Sequence, residues 1–250
     1  MPSTPIALVT GGSRGIGAAT CLLAAKRGFA VAVNYAANAT AANAVVAQIN
    51  AGGGKAIAVQ GDVALEADIL RMFNTVDEQL GRLTALVNNA GVVDVASRVE
   101  AMSAARLKRM FDINIVGSFL CAREAVLRMS TKHGGAGGAI VNLSSAAARL
   151  GGGGQYIDYA ASKGAIDTFT TGLAKELATE GIRVNAVRPG IIDTEIHASG
   201  GQPDRARQLA PLVPMQRPGS SAEVAEAIVW LMTDASSYCT GAFIDVAGGR

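Results

Sequence analysis

Seven short apolar runs recur along the chain: IALVT (6–10), FAVAVN (29–34), AIAVQ (56–60), TALVNN (84–89), AIVNLS (139–144), IRVNAV (182–187) and AFIDV (242–246). Most are continuously apolar instead of alternating, which marks strands covered on both faces. Such cover comes from helices packed on both sides of a parallel sheet. The alanine-rich stretches between the runs, such as 15–27 and 38–51, are long enough for crossover helices. The pattern predicts an α/β fold, a doubly wound parallel sheet of about seven strands, with right-handed crossovers. No linker divides the chain, because GGGK (52–55), GGAGG (134–138) and GGGG (151–154) fall between expected elements and read as loops. Residues 1–250 are therefore expected to form one domain. Only 194–218 breaks the rhythm, and a long insertion after a strand end predicts a lid or substrate loop.

Composition narrows the function. Half of the residues are hydrophobic, 17% are charged and the net charge is +2. This is a globular chain with no basic surplus to recruit nucleic acid or a membrane surface. Cys21, Cys121 and Cys239 are too sparse for a disulfide framework, and the first two sit in apolar helical runs as core residues. His133 and His197 are the only histidines and lack ligand-spaced partners, so no metal site is expected. The start MPSTPIALVTGG has neither a charged leader nor a long apolar run, and no run is long enough to span a bilayer. A cytoplasmic location is expected.

VTGGSRGIG (9–17) joins the first strand to a helix. Glycines there let the backbone approach a pyrophosphate, and the helix N-terminus offers free N–H groups. The spacing is Gly11, Gly15 and Gly17, with Gly12 extra, which differs from G-x-G-x-x-G. A site for NAD usually places an acid at the end of the second strand. Here Asn34 and Tyr35 stand there, and no Asp or Glu precedes Asp62. Arg14 either faces a ribose 2′-phosphate or is a solvated loop charge; with the missing acid, this favours NADP. Asp62, followed by Val63, either accepts from an adenine amino group or caps the helix starting near Ala64.

QYIDYAASK (155–163) carries two tyrosines and a lysine. A phenol titrates near ~10, and a nearby cation lowers that value. Residues four apart share a helix face, which pairs Tyr159 with Lys163 and leaves Tyr156 opposite Ala160. Upstream, Ser144 and Ser145 end a strand where open α/β sheets place ligands. NNAG (88–91), Asn114, and RPG (188–190) with Thr194 bring further polar or glycine features to strand ends or beside them.

Together TGGSRGIG (10–17), NNAG (88–91), Asn114, Ser144–Ser145, YAASK (159–163) and PGIIDT (189–194) make the chain resemble the short-chain dehydrogenases/reductases over nearly all of residues 5–249. The resemblance implies a Rossmann fold, a nicotinamide cofactor and a catalytic set of Asn114, Ser145, Tyr159 and Lys163. It implies Tyr159 as general acid/base, with Lys163 lowering its pKa and binding the nicotinamide ribose. Ser145 would polarise the substrate oxygen, and Asn114 would hold a water linked to Lys163. Cofactor contacts are implied for Gly11, Ser13, Arg14, Gly15, Ile16, Gly17, Asn34, Tyr35, Asp62, Val63, Asn89, Ala90 and Gly91. They extend to Tyr159, Lys163, Pro189, Gly190, Ile192 and Thr194. The loop between serine and tyrosine carries one residue more than in many members, which sets Leu150, Gln155 and Tyr156 at the substrate border, or Tyr156 at a subunit contact, and weighs Ser145, the serine kept here, against Ser144.

The expected function is hydride transfer between NADP(H), or less readily NAD(H), and a small-molecule carbonyl or alcohol. A non-catalytic NADP-binding sensor or scaffold is the alternative. Glu180 stands where carrier-protein reductases often show a basic residue, which weighs against a phosphopantetheine carrier. Arg205 and Arg207, in the expected lid, are read first as solvated charges, with contact to an anionic substrate as the alternative. The resemblance also implies a homotetramer or homodimer, with contacts on 160–178 and 241–249.

Overall fold

The computed structural model describes residues 4–250, apart from the side chains of His197 and Ser199. His197, weighed above as a metal ligand, thus lies outside the described side chains. All seven expected strands form: β1 (Ile6–Val9), β2 (Ala30–Tyr35), β3 (Lys55–Gln60), β4 (Ala85–Asn88), β5 (Gly138–Leu143), β6 (Ile182–Pro189) and β7 (Phe243–Val246). They make one parallel sheet in the order β3-β2-β1-β4-β5-β6-β7. The order reverses between β1 and β4, which opens a crevice at the carboxyl ends of those strands.

Successive side chains of a strand point to opposite faces, so each strand feeds two cores. Ala7, Val9, Val31, Val33 and Val141 meet helices α1 (Gly15–Lys26), α2 (Ala39–Ala51) and α10 (Ser221–Met232). Ile6, Leu8, Ala32, Leu86 and Ile140 meet α3 (Glu66–Gln79), α5 (Gly117–Met129) and α7 (Ile157–Leu177) on the other face. Cys21 and Cys121 are fully buried, one in each core, and burial pushes the Cys121 thiol up to about 12. They are inert packing residues.

Asn88 and Asn142 stand opposite each other on β4 and β5. Asn88 Nδ2 donates to Asn142 Oδ1 (3.0 Å), and Asn142 Nδ2 donates to Thr170 Oγ1 of α7 (2.9 Å). Buried amides aligned this way fix how α7 sits on the sheet.

The helix at 104–129 is not regular. Its first part, α4 (Ala104–Phe111), passes through a π turn (Asp112–Val116) into α5. Gly117 then lets α5 approach the chain after β3, where a Cβ would lie 2.7 Å from the Val63 carbonyl oxygen. The expected lid contains two short helices, α8 (Ile196–Ser199) and α9 (Arg205–Leu209). The short α6 (Ala147–Leu150) fills the start of the β5–α7 loop. Among the described residues no group is arranged to hold a metal ion, and no helix is long and apolar enough to cross a membrane.

Glu180 is held within the fold. It lies just before β6, at the end of the sheet away from the crevice, and is only 5% exposed. Its carboxylate accepts from Ser130 Oγ and Lys132 Nζ, each at 2.5 Å. The charge is used inside the molecule, and no basic residue takes the position where carrier-protein reductases often show one.

These partners hold the Glu180 carboxyl below its ordinary value, Lys132 being the larger cause. A carboxyl lowered in the folded state stabilises above its unfolded pKa, and that stability is lost as pH falls through the folded value. Glu180→Gln is therefore expected to lower stability at neutral pH. The deficit should shrink below about pH 4, as read by urea midpoints across pH.

Candidate active site

The glycine loop leaves β1 as a turn that Gly11 makes at φ +61°, a backbone conformation that favours glycine. Thr10 Oγ1 accepts from the backbone N–H groups of Asn89 and Ala90, both at 3.0 Å. Asn89 Nδ2 donates back to the carbonyls of Thr10 (2.8 Å) and Gly11 (3.1 Å). Gly17 packs onto this knot, since a Cβ there would lie 2.3 Å from the Gly11 oxygen. Helix α1 then starts with no side-chain cap and no acid in its first turn. The N–H groups of its first turn have no intrahelical partner, so they suit a dinucleotide pyrophosphate. Ser13 is half-buried and Arg14 exposed beside them, Ile16 lines the crevice, and Thr194 lies next to Gly15.

Asn34 does not face a ribose. It is 2% exposed, and its Oδ1 accepts from Gly11 N–H (3.0 Å). Its Nδ2 donates to the carbonyls of Gly61 (2.9 Å) and Val59 (3.3 Å). The side chain expected to read the cofactor instead ties the glycine loop to β2 and β3. Tyr35, half-buried, is the first side chain after it. Val63 is likewise a core side chain, 6% exposed. Asp62 Oδ1 accepts from Ala64 N–H (2.9 Å) in a turn before α3, which begins at Glu66.

A cleft of about 390 Å³ opens at this end of the sheet. Asn89, Gly91, Ser144, Ser145, Tyr159, Lys163, Pro189, Gly190, Ile192 and Thr194 line it, as do Leu150, Gln155 and Tyr156 of the longer loop. Tyr159 and Lys163 lie one turn apart on α7, as their spacing predicts. Ser145 hydrogen-bonds the Tyr159 hydroxyl, and its Oγ also accepts from Ala147 N–H (3.1 Å). Ser144 is turned away, its Oγ donating to the Lys163 carbonyl (3.3 Å). Thus α6 and the glycine turn absorb the longer loop, and Ser145 is the serine that meets the tyrosine. Tyr156 is 9% exposed and forms the cleft wall.

Electrostatics depart from expectation. Burial raises the Tyr159 pKa, and the Ser145 hydrogen bond offsets part of the rise. Lys163 does not lower it in this arrangement. Its ammonium donates to the Leu143 carbonyl (2.6 Å) and lies 5.7 Å from the Tyr159 ring centre. Burial lowers the Lys163 pKa to about 8, against a weaker opposing pull from Asp167. The lysine is thus poised to change charge near physiological pH.

Asn114 sits in the π turn, 1% exposed. It grips both polar groups of Val92, accepting from its N–H (2.8 Å) and donating to its carbonyl (3.0 Å). It also donates to Ser162 Oγ (3.1 Å), which bonds the Tyr159 carbonyl (2.7 Å). The geometry makes Asn114 a brace between the β4–α4 loop and α7, and nothing in FDINIVGSF signals the π turn. A second brace is legible only in three dimensions. Arg106 Nε donates to Asp158 Oδ2 (2.8 Å), a carboxylate with no exposed side-chain surface, one residue before Tyr159. Its Nη1 donates to the Val95 carbonyl (2.6 Å).

Arg205 is a further correction. Its guanidinium stacks 4.9 Å from the Tyr156 ring centre, donates to Gln155 Oε1 (3.0 Å) and lines the cleft. Arg207 is a solvated charge, 87% exposed.

The comparisons agree with this geometry. Residues 11–250 match the family model described as enoyl-(acyl carrier protein) reductase. The chain is 57% identical to an uncharacterised oxidoreductase of Escherichia coli (strain K12), YgfF, covering 98% of this chain and 99% of that one. It is 41% identical to a 3-oxoacyl-[acyl-carrier-protein] reductase of a Synechocystis strain, covering 98% and 96%. A solved short-chain dehydrogenase/reductase from Serratia marcescens, a double mutant, superimposes with a TM-score of 0.90 at 36% identity, covering 99% and 98%. The chain belongs to the short-chain dehydrogenase/reductase family and is an oxidoreductase of that type.

Two variants test this reading of the site. Asn34→Asp sets a carboxylate against two carbonyl oxygens and should cost about 1–3 kcal/mol in urea unfolding, whatever it does to nucleotide choice. For Lys163 the sign is the reverse of an ordinary ion pair. Folding disfavours the ammonium, so its cost is full below about 8 and is relieved as pH rises toward the ordinary 10.5. Lys163→Met should therefore gain more stability over the wild type near neutral pH than at about pH 10, as read by thermal unfolding.

Proposed function

We propose that the protein reduces a small carbonyl compound, or oxidises the matching secondary alcohol, using NADP(H). The observation that carries this reading is the Ser145–Tyr159 hydrogen bond in a cleft shared with the glycine loop and Lys163. Within that cleft a substrate oxygen has a hydroxyl donor on each of two rigid elements.

The bound nicotinamide supplies the hydride. Ser145 orients and polarises the carbonyl oxygen, and Tyr159 gives it a proton as the bond order falls. The raised phenol pKa keeps Tyr159 protonated at neutral pH, as reduction requires. Lys163, buried against the Leu143 carbonyl, binds the nicotinamide ribose and replenishes the phenol proton. Asn114 holds the loop at Val92 and a water linked to Lys163. Arg14 and Tyr35 take the adenine ribose and its 2′-phosphate, because no acid stands at the end of β2. Asp62 accepts from the adenine amino group, and the backbones of Val63, Ala90 and Gly91 flank the nucleoside. The exposed apolar flank of the π turn and α5, with Val116, Phe119 and Leu127, supports assembly into a homodimer or homotetramer.

The test is loss of NADPH absorbance with a panel of ketones and aldehydes. Tyr159→Phe should cut kcat by about 10²–10⁴-fold, and Ser145→Ala should cut it far more than Ser144→Ala. Arg14→Ala should lower kcat/KM for NADPH and leave NADH little changed. Tight NADPH binding with no turnover on any carbonyl would instead mark a non-catalytic binding protein.

A further inference from the structure

Among the described residues that line the cleft, the charged side chains are Lys163, Arg205 and Arg250, while the Glu195 carboxylate stands by Gly15 at the glycine loop. Lys163 lies deep against the Leu143 carbonyl and has its own task in the reading above. Arg205 has none. Most arginines of the chain pair with a carboxylate, such as Arg106 with Asp158, Arg128 with Asp77 and Arg188 with Asp167. Among the described residues the partners of Arg205 are all neutral. Its Nη1 donates to Gln202 Oε1 (2.7 Å), its Nη2 donates to Gln155 Oε1 (3.0 Å), and its face rests on Tyr156. Three contacts hold a half-buried guanidinium in one pose and leave its charge unmatched. A fixed, partly desolvated cation of this kind favours a carboxylate, which can meet it through charge-assisted hydrogen bonds.

Position narrows the ligand. The partners of Arg205 belong to the β5–α7 loop and the lid, not to the glycine loop, so the cation is set on the substrate side. Tyr156 immediately precedes α7, three residues before Tyr159, and both line the cleft with Arg205. An anion at Arg205 and a carbonyl at Tyr159 would share this one cleft of about 390 Å³, which calls for a short molecule. The phosphate of a pantetheine thioester lies the length of that arm from its carbonyl and does not fit. Val93, Leu150, Ile191 and Ile196 make the rest of the wall apolar.

We propose that the substrate is a short oxo acid, or the matching hydroxy acid, whose carboxylate is bound by Arg205. This rests on the carbonyl-reductase reading above and names its substrate class. Arg205 is then the specificity-determining residue of the lid, already held at the cleft by Gln155 and Tyr156.

The experiment measures kcat/KM for acetoacetate and laevulinate, each beside its methyl ester, and for acetoacetyl pantetheine, in the wild type and in Arg205→Met. The wild type should favour at least one acid over its ester by about tenfold or more, and Arg205→Met should lower the acid about 10- to 100-fold more than the ester. Equal losses for acid and ester would overturn the proposal and leave Arg205 as a latch between lid and loop. No acid preference in the wild type, or a preference for the pantetheine thioester, would overturn it while leaving the reductase reading intact. If no carbonyl is reduced with either nucleotide, the reductase reading itself fails, and carboxylate binding is read directly. Glutarate should then raise the melting temperature of wild-type protein loaded with NADP, and not that of Arg205→Met. No rise in the wild type overturns the proposal. Should Arg205→Met fail to fold, Arg205→Gln, which keeps a hydrogen-bonding amide, takes its place.

Discussion

The junction where β1 turns into α1 is held by two asparagines, and the rest of the site depends on it. Asn34 fixes the loop from the β2 side by accepting from Gly11 N–H. Asn89 fixes it from the β4 side by donating to the Thr10 and Gly11 carbonyls. Between them Gly17 approaches the Gly11 oxygen more closely than any side chain would allow. Buried backbone groups at a sheet reversal need partners, and here the partners come from both neighbouring strands. The result is a helix start beside the cleft whose N–H groups are not spent on side-chain caps.

Helix α7 carries the other half of the site and is located by polar contacts as much as by packing. The Asn142–Thr170 bond sets its middle. The Arg106–Asp158 pair and the Asn114–Ser162 bond set the turns around Tyr159. Removing one partner of a buried pair leaves an uncompensated charge, so these contacts make the pose of α7 specific. Tyr159 meets Ser145 because both are anchored outside the loop that joins them.

The strands were legible because two-sided burial writes continuous apolar runs, and the Tyr159–Lys163 pairing because helical spacing is a fixed number. Side-chain direction was not. Asn34 looked like a cofactor contact by its place at a strand end, yet the pleat turns it inward to the backbone of Gly11 and Gly61. Glu180 was legible as a charge but not as a buried one, since Ser130 and Lys132 are distant in sequence. The π turn at Asn114, the Arg106–Asp158 pair and the stacking of Arg205 on Tyr156 all join segments that no local pattern connects. The expected lowering of Tyr159 by Lys163 is absent from this arrangement, where burial raises the phenol instead, because spacing along a helix does not report where an ammonium points.

The β5–α7 loop separates two tasks that many active sites combine. Ser145 follows the end of β5 and Tyr159 is carried by α7, while α6 and the glycines at 151–154 lie between them, with Ala147, Leu150, Gly152 and Gly153 lining the cleft. Residues can be gained or lost there without changing the distance between the two hydroxyls. The loop behaves as an exchangeable cassette: its sequence can drift to suit new molecules while the proton-handling pair stays in register. A lineage with this arrangement can diversify what it recognises faster than it changes what it does.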